Sequence, residues 1–186
     1  MNIIPTSLKE VLILEPRVFG DQRGYFLETY QRRRYAEAGI GAEFVQDNIS
    51  FSRQRTLRGL HFQHPNDQDK LVQVMEGEIF DVAVDVRRGS PTFGQSVAVT
   101  LSAGTHRQLF IPRGFAHGFC VLSPTALFMY KCSDFYAPPH EAGICWDDPD
   151  LKIAWPLKDP VLSERDRAFP RLRDIPADRL PAMVDE

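Results

Sequence analysis

Two glycine-containing segments carry histidines where chemistry could occur: Gly59-Leu60-His61-Phe62-Gln63-His64 and Pro112-Arg113-Gly114-Phe115-Ala116-His117-Gly118. An imidazole titrates near neutral pH, so it can accept a proton or, when neutral, bind a metal. Spacing bears on the choice. Two ligands on one strand must be two residues apart to share a face, whereas His61 and His64 are three apart and point to opposite sides. A bulge at Gly59 precedes both and does not repair this spacing. A catalytic metal needs at least three convergent ligands, so the pattern favours metal-free chemistry at His61, with His64 a surface residue beside Pro65. The bland alternative for His61 is a satisfied core histidine.

Three more side chains stand out. In Lys70-Leu71-Val72-Gln73-Val74, strand alternation puts Lys70 on one face with Val72 and Val74, where an ammonium is costly unless its charge has a use. Tyr130 shares a face with Phe128; it is a core tyrosine or an acid, since a phenol holds its proton at neutral pH yet can yield it to a strong base. Ser163-x-x-Asp166 reads as a variant capping box, and its carboxylate could serve a histidine as well.

These residues need a scaffold, and short alternating runs supply one. Strands are expected over Lys9–Leu14, Arg23–Tyr30, Phe44–Ser52, Leu57–Gln63, Gln95–Leu101, Gln108–Ile111, Gly118–Leu122 and Ala126–Cys132. Lys70–Met75 and Ile79–Val86 flank Glu76-Gly77-Glu78 and read as a hairpin. Within the second of these, Phe80, Val82, Val84 and Val86 share one face and Asp81 and Asp85 the other. Helices are expected over Gln31–Ala38, stopped by Gly39, and near Ser163–Ala168. Many short strands with turn signals between them indicate a sandwich or barrel.

The first histidine segment running on to Glu76-Gly77, and the Pro-x-Gly-x-x-His core of the second, resemble the paired motifs of the cupin superfamily. A more specific resemblance extends from about Arg23 to about Asp166. Its blocks are Phe44-Val45-Gln46-Asp47-Asn48, Leu57 to Gln63, Lys70-Leu71-Val72, Gly77 to Asp85, Ser90-Pro91-Thr92-Phe93-Gly94, Ile111 to Phe119, Tyr130-Lys131-Cys132 and Leu162-Ser163-Glu164-Arg165-Asp166. In this order they resemble the dTDP-4-dehydrorhamnose 3,5-epimerases. The resemblance implies a mainly β fold, a cupin-type jelly-roll barrel with a few short helices, as one domain over residues 1–186.

The implied substrate is a 4-keto-6-deoxy hexose on thymidine diphosphate. Both C3 and C5 flank the ketone, so loss of a proton from either leaves an enolate, and reprotonation from the opposite face inverts the carbon. That chemistry asks for a base, an acid across the ring and a cation near the oxyanion, with no metal or redox cofactor. By resemblance His61 is the base, Asp166 the carboxylate that orients it, Tyr130 the acid and Lys70 the cation. Arg23 and Arg58 match diphosphate contacts, where guanidinium forks suit phosphate oxygens. Glu28, Gln46, Asp47, Asn48, His117, Glu141 and Arg165 match substrate-contacting positions, and Tyr136 is a candidate for nucleotide packing.

The chain departs from the family pattern in places. Arg165 stands where lysine is usual, Ile49 where histidine often follows Gln-Asp-Asn, Gln73 where arginine is common, and Phe135 where tyrosine is common. The loop His64–Asp69 is short and lacks the usual glycine before the lysine. None removes a proposed catalytic group, but Ile49 and Gln73 bear on the detailed substrate contacts.

Composition bounds the remaining possibilities. The 186 residues are 43% hydrophobic and 25% charged with a net charge of −3, ordinary for a globular chain. Mixed charges suggest neither a nucleic-acid nor a membrane surface. Cys120, Cys132 and Cys145 form no ligand or disulfide pattern, and the N-terminus lacks a basic then apolar leader, so a cytoplasmic location is expected. The resemblance further implies a homodimer whose N-terminal strand crosses to its partner, and a product feeding dTDP-L-rhamnose and bacterial polysaccharide. Rival readings are an epimerase or ketoisomerase acting at a single carbon, a metal-dependent cupin enzyme, and a non-catalytic nucleotide-sugar binder.

Overall fold

The computed structural model describes residues 1–183. Thirteen strands are present among them: β1 Asn2–Pro5, β2 Leu12–Glu15, β3 Val18–Asp21, β4 Gly24–Leu27, β5 Gln46–Arg53, β6 Leu57–Gln63, β7 Lys70–Glu76, β8 Glu78–Asp85, β9 Ser96–Ser102, β10 Gln108–Ile111, β11 Phe115–Val121, β12 Thr125–Cys132 and β13 Glu141–Gly143. Helices are short: α1 Arg32–Glu37 and α2 Glu164–Arg167. Two antiparallel sheets form the body, one ordered β1-β2-β10-β7-β12-β5 and the other β13-β6-β11-β8-β9. This is the mainly β jelly-roll arrangement expected from the sequence, with β3 and β4 forming a separate ribbon.

Between the sheets lies an apolar core that includes Val72, Val74, Ile79, Leu109, Phe119 and Phe128. A second core forms outside the five-stranded sheet, where Val82, Val84 and Val86 meet Ile144, Leu151, Leu172, Ile175 and Leu180 of the Pro-rich C-terminal segment. The valine face of β8 therefore points outward and is covered by the tail. Its aspartate face points inward, and Asp81 and Asp85 are both fully buried. A third core seats α1 through Tyr35 on Leu14, Leu71 and Phe110.

The structure corrects two local expectations. β7 and β8 do not form a hairpin, because they belong to different sheets. Gly77 turns the chain from one sheet to the other with φ +83°, and a side chain there would strike the Thr125 carbonyl. The run Arg23–Tyr30 is a strand only over Gly24–Leu27, and the turn at Gln22-Arg23 joins it to β3. In β6, two residues, Gly59 and Leu60, oppose the single Gly118 of β11 between the pairs His61–His117 and Arg58–Phe119. Gly59 occupies this bulge with φ +112°, and a Cβ would lie 2.6 Å from the Gly118 Cα.

Candidate active site

A cavity of about 530 Å³ opens between the sheets, and residues from seven elements line it. The six-stranded sheet contributes three inward rows set by strand register. Lys70, Cys132 and Gln46 form one, Val72, Tyr130 and Asn48 the next, and Val74, Phe128 and Ser50 the third. The opposite sheet contributes His61 from β6 and His117 from β11, which face each other in the ladder. His61 and Tyr130 thus come from different sheets and line the same cavity.

His61 Nε2 lies 2.6 Å from Asp166 Oδ1, with the aspartate almost fully buried. α2 makes this possible: Ser163 Oγ accepts a hydrogen bond from the Asp166 amide at 3.0 Å, which caps the helix. The Asp166 carboxylate is free of the reciprocal capping bond and reaches across to β6. Burial alone would raise its pKa, but hydrogen bonds from His61 and Ser163 and the charges of His61 and Arg165 outweigh it, leaving the carboxyl below its ordinary value. With Asp166 on Nε2, the remaining ring nitrogen Nδ1 is the one available to accept a proton.

Lys70 is 9% exposed. Burial lowers its pKa, and Cys132, Glu141 and Asp81 partly oppose that shift. Tyr130 stacks beside Phe128 with ring centroids 5.6 Å apart, and burial raises its phenol pKa. Arg58 is held by neutral groups, Nε donating to Ser52 Oγ at 3.0 Å and Nη2 to the Phe51 carbonyl at 3.5 Å. A cation with no carboxylate partner among the described residues suits a phosphate oxygen.

At the rim, Glu141 Oε2 accepts from Tyr136 OH at 2.6 Å and from Arg165 Nη1 at 2.5 Å. Gln46 and Asn48 are joined by a 3.0 Å hydrogen bond. Asp47 lies on the opposite face of β5, paired with Lys131 at 2.9 Å, because alternate residues of a strand point to opposite sides. Arg23 and Glu28 also lie outside this chain's cavity: Arg23 pairs with Asp21 on the exposed ribbon, and Glu28 with Arg34. Of the sequence-predicted set, the fold brings together His61, Tyr130, Asp166, Lys70, Gln46, Asn48, Arg58, His117, Glu141 and Arg165.

The departures at Ile49 and Gln73 do not touch the cavity. Both flank Met129 in one register row on the outer face of the six-stranded sheet. Ile49 is exposed, and Gln73 accepts a hydrogen bond from Gln108. His64 lies outside the cavity wall, its Nδ1 3.0 Å from Asp67. Among the described residues no group of three His, Cys, Asp or Glu side chains is arranged to hold a metal ion.

Sequence reasoning gave Asp81 no role. Its two oxygens lie 3.0 Å from His117 Nε2, making a second carboxylate–imidazole pair in the same wall. The signal was available: an aspartate in register with a histidine strand, on a face the alternation marked as polar. Phe169, whose ring meets His61 edge-on with centroids 5.6 Å apart, carried no such signal.

A family profile described as dTDP-4-dehydrorhamnose 3,5-epimerase matches residues 5–174. The dTDP-4-dehydrorhamnose 3,5-epimerase of Pseudomonas aeruginosa is 58% identical over 169 residues, covering 90% of this chain and 93% of that one. That of Shigella flexneri is 54% identical over 89% and 93%. The crystal structure of a dTDP-6-deoxy-D-glucose 3,5-epimerase from Legionella pneumophila in complex with dTDP-4-keto-L-rhamnose superimposes with a TM-score of 0.97. It shares 53% identity over 99% of both chains.

Proposed function

The chain belongs to the dTDP-4-dehydrorhamnose 3,5-epimerase family, and from that membership we propose how its own residues carry the reaction. The substrate is dTDP-4-dehydro-6-deoxy-D-glucose, and inversion at C3 and C5 gives the dTDP-4-keto-L-rhamnose skeleton. The observation that carries the mechanism is the 2.6 Å His61–Asp166 contact in a cavity that also holds Tyr130 and the buried Lys70.

His61 removes the proton from the carbon beside the ketone, and the bonding pair moves to the carbonyl oxygen as an enolate. Asp166 holds the ring and balances the imidazolium, as in other His–Asp pairs. The Lys70 ammonium, largely desolvated, stabilises the enolate oxygen more strongly than it would in water. Tyr130, from the facing sheet, delivers a proton to the other side of the carbon. The phenolate and imidazolium then return to their starting states by proton exchange with solvent. Repeating the cycle at the second carbon completes the double inversion. Arg58 meets the diphosphate, Gln46, Asn48, Glu141 and Arg165 make the other substrate contacts, and His117 faces the sugar.

The β3–β4 ribbon joins neither large sheet and exposes Phe19, Tyr25 and Phe26 by 50%, 62% and 69%. Such a surface suits a homodimer in which the ribbon carries Arg23 and Glu28 toward the partner's cavity. Three free cysteines fit a cytoplasmic enzyme.

The test is turnover of the 4-keto nucleotide sugar in deuterated water, followed by NMR, with a reductase present to trap dTDP-L-rhamnose. Deuterium is expected at both C3 and C5. Label at only one carbon would make the enzyme a single-site epimerase, and no label would refute the reading. Tyr130→Phe is expected to retain some wash-in yet lose inversion; full epimerisation by that variant would remove Tyr130 as the acid.

A further inference from the structure

Phe169 follows α2 by two residues and lies against the base rather than in the outer core. Its ring meets the His61 imidazole edge-on, with centroids 5.6 Å apart and planes at 73°. The space it occupies is created by Gly143, the residue that pairs with His61 in the β13–β6 ladder. A methyl group on Gly143 would be driven into the Phe169 ring. Gly143 does not have a positive φ, so backbone strain does not require glycine there. The aromatic ring does.

One short segment therefore grips the same imidazole twice. Asp166 holds Nε2 at 2.6 Å, Ser163 caps the turn that presents Asp166, and Phe169 closes against the ring. A hydrogen bond to one nitrogen fixes the direction of the ring but leaves rotation about that contact open. A flat group packed against the imidazole, itself backed by a residue with no side chain, removes that freedom. We propose that Phe169, seated on Gly143, is a positioning residue that sets the plane of the His61 imidazole for proton abstraction. The inference rests on His61 being the base.

Proton transfer from carbon depends on alignment, and a misplaced catalytic group can lose about 100-fold in rate without loss of binding. Phe169 is not among the residues that line the substrate cavity, so its removal should act on kcat rather than KM. Phe169→Ala is expected to lower kcat and deuterium wash-in by roughly tenfold or more, with KM changed less than about twofold. Phe169→Leu, which restores apolar bulk, should recover most of that loss. Gly143→Ala, which leaves Phe169 present but displaces it, should reproduce the Phe169→Ala defect, and the double variant should be no slower than either single one.

Wild-type kcat and wash-in in Phe169→Ala, a loss confined to KM, or full activity in Gly143→Ala would each overturn the proposal. If Phe169→Ala does not fold, Gly143→Ala decides it by the same readings. His61→Asn run alongside separates the two levels: activity surviving in that variant refutes the assignment of the base itself. An inactive His61→Asn beside an unimpaired Phe169→Ala refutes only the role of Phe169.

Discussion

In the proposed mechanism, function and stability oppose each other at Lys70. Its side chain is buried among Val72, Cys132 and Tyr130, and the six-stranded sheet offers it no carboxylate at hydrogen-bond distance. A buried ammonium loses hydration, and that loss is costly without a carboxylate paired to it. The sign follows from linkage: a folded pKa below the unfolded one means the folded chain binds fewer protons, so this destabilisation is present at neutral pH and fades as pH rises. Lys70→Met keeps the length and removes the charge. It is expected to raise stability by about 1 kcal/mol or more while cutting kcat at least about 100-fold. Urea denaturation and the epimerase assay read the two effects; a variant that is both less stable and fully active would contradict this account.

Elements decide which of these side chains can meet. The turn at Gly77 sends β7 and β8 into facing sheets, so the cavity has a wall on each side instead of a single ribbon. The bulge at Gly59 adds one residue to β6 just before His61 and sets the register that puts His61 opposite His117. α2 is only Glu164–Arg167, too short to be stable alone, yet it is fixed at both ends of its one turn by Ser163 and by the Asp166–His61 contact. That docking has a pH signature. Asp166 titrates below its ordinary value of about 4, so its contribution to stability is complete above that value and is lost as pH falls through the lower folded pKa. Asp166→Asn should reduce unfolding free energy by about 1–3 kcal/mol at neutral pH. The gap to the parent chain should close in acid. A gap that stayed constant to pH 2 would show that the carboxylate charge contributes nothing to docking α2.

At the scale of the whole molecule, the β3–β4 ribbon and the outer face of β5 remain open. Phe19, Tyr25, Phe26, Ile49 and Phe51 are all exposed by half or more. Arg23 and Glu28, which match substrate-contacting positions by resemblance, lie outside the cavity of their own chain. The proposed homodimer, with the ribbon brought to a neighbour's cavity, would account for both features. Light scattering is expected to give twice the chain mass, and Phe26→Asp to shift it toward monomer while raising KM. A monomeric parent with full activity would end that reading.

The sequence by itself determined most of the strand inventory, with Leu57–Gln63 and Gln108–Ile111 matching residue for residue, because strand alternation and turn residues are local properties; it did not mark the short strands β1, β3 and β13. It also singled out His61, Lys70, Tyr130 and Asp166 for the proposed chemistry, and the fold brings these four to one cavity. Only tertiary structure decided which sheet each strand joins, that the valine face of β8 turns outward, and that Ile49 and Gln73 sit away from the cavity. Alternation states that two faces differ; it does not say which one a distant segment will cover. In this chain the covering segment is the Pro-rich tail, and burying the valines under it turns Asp81 toward the cavity and His117.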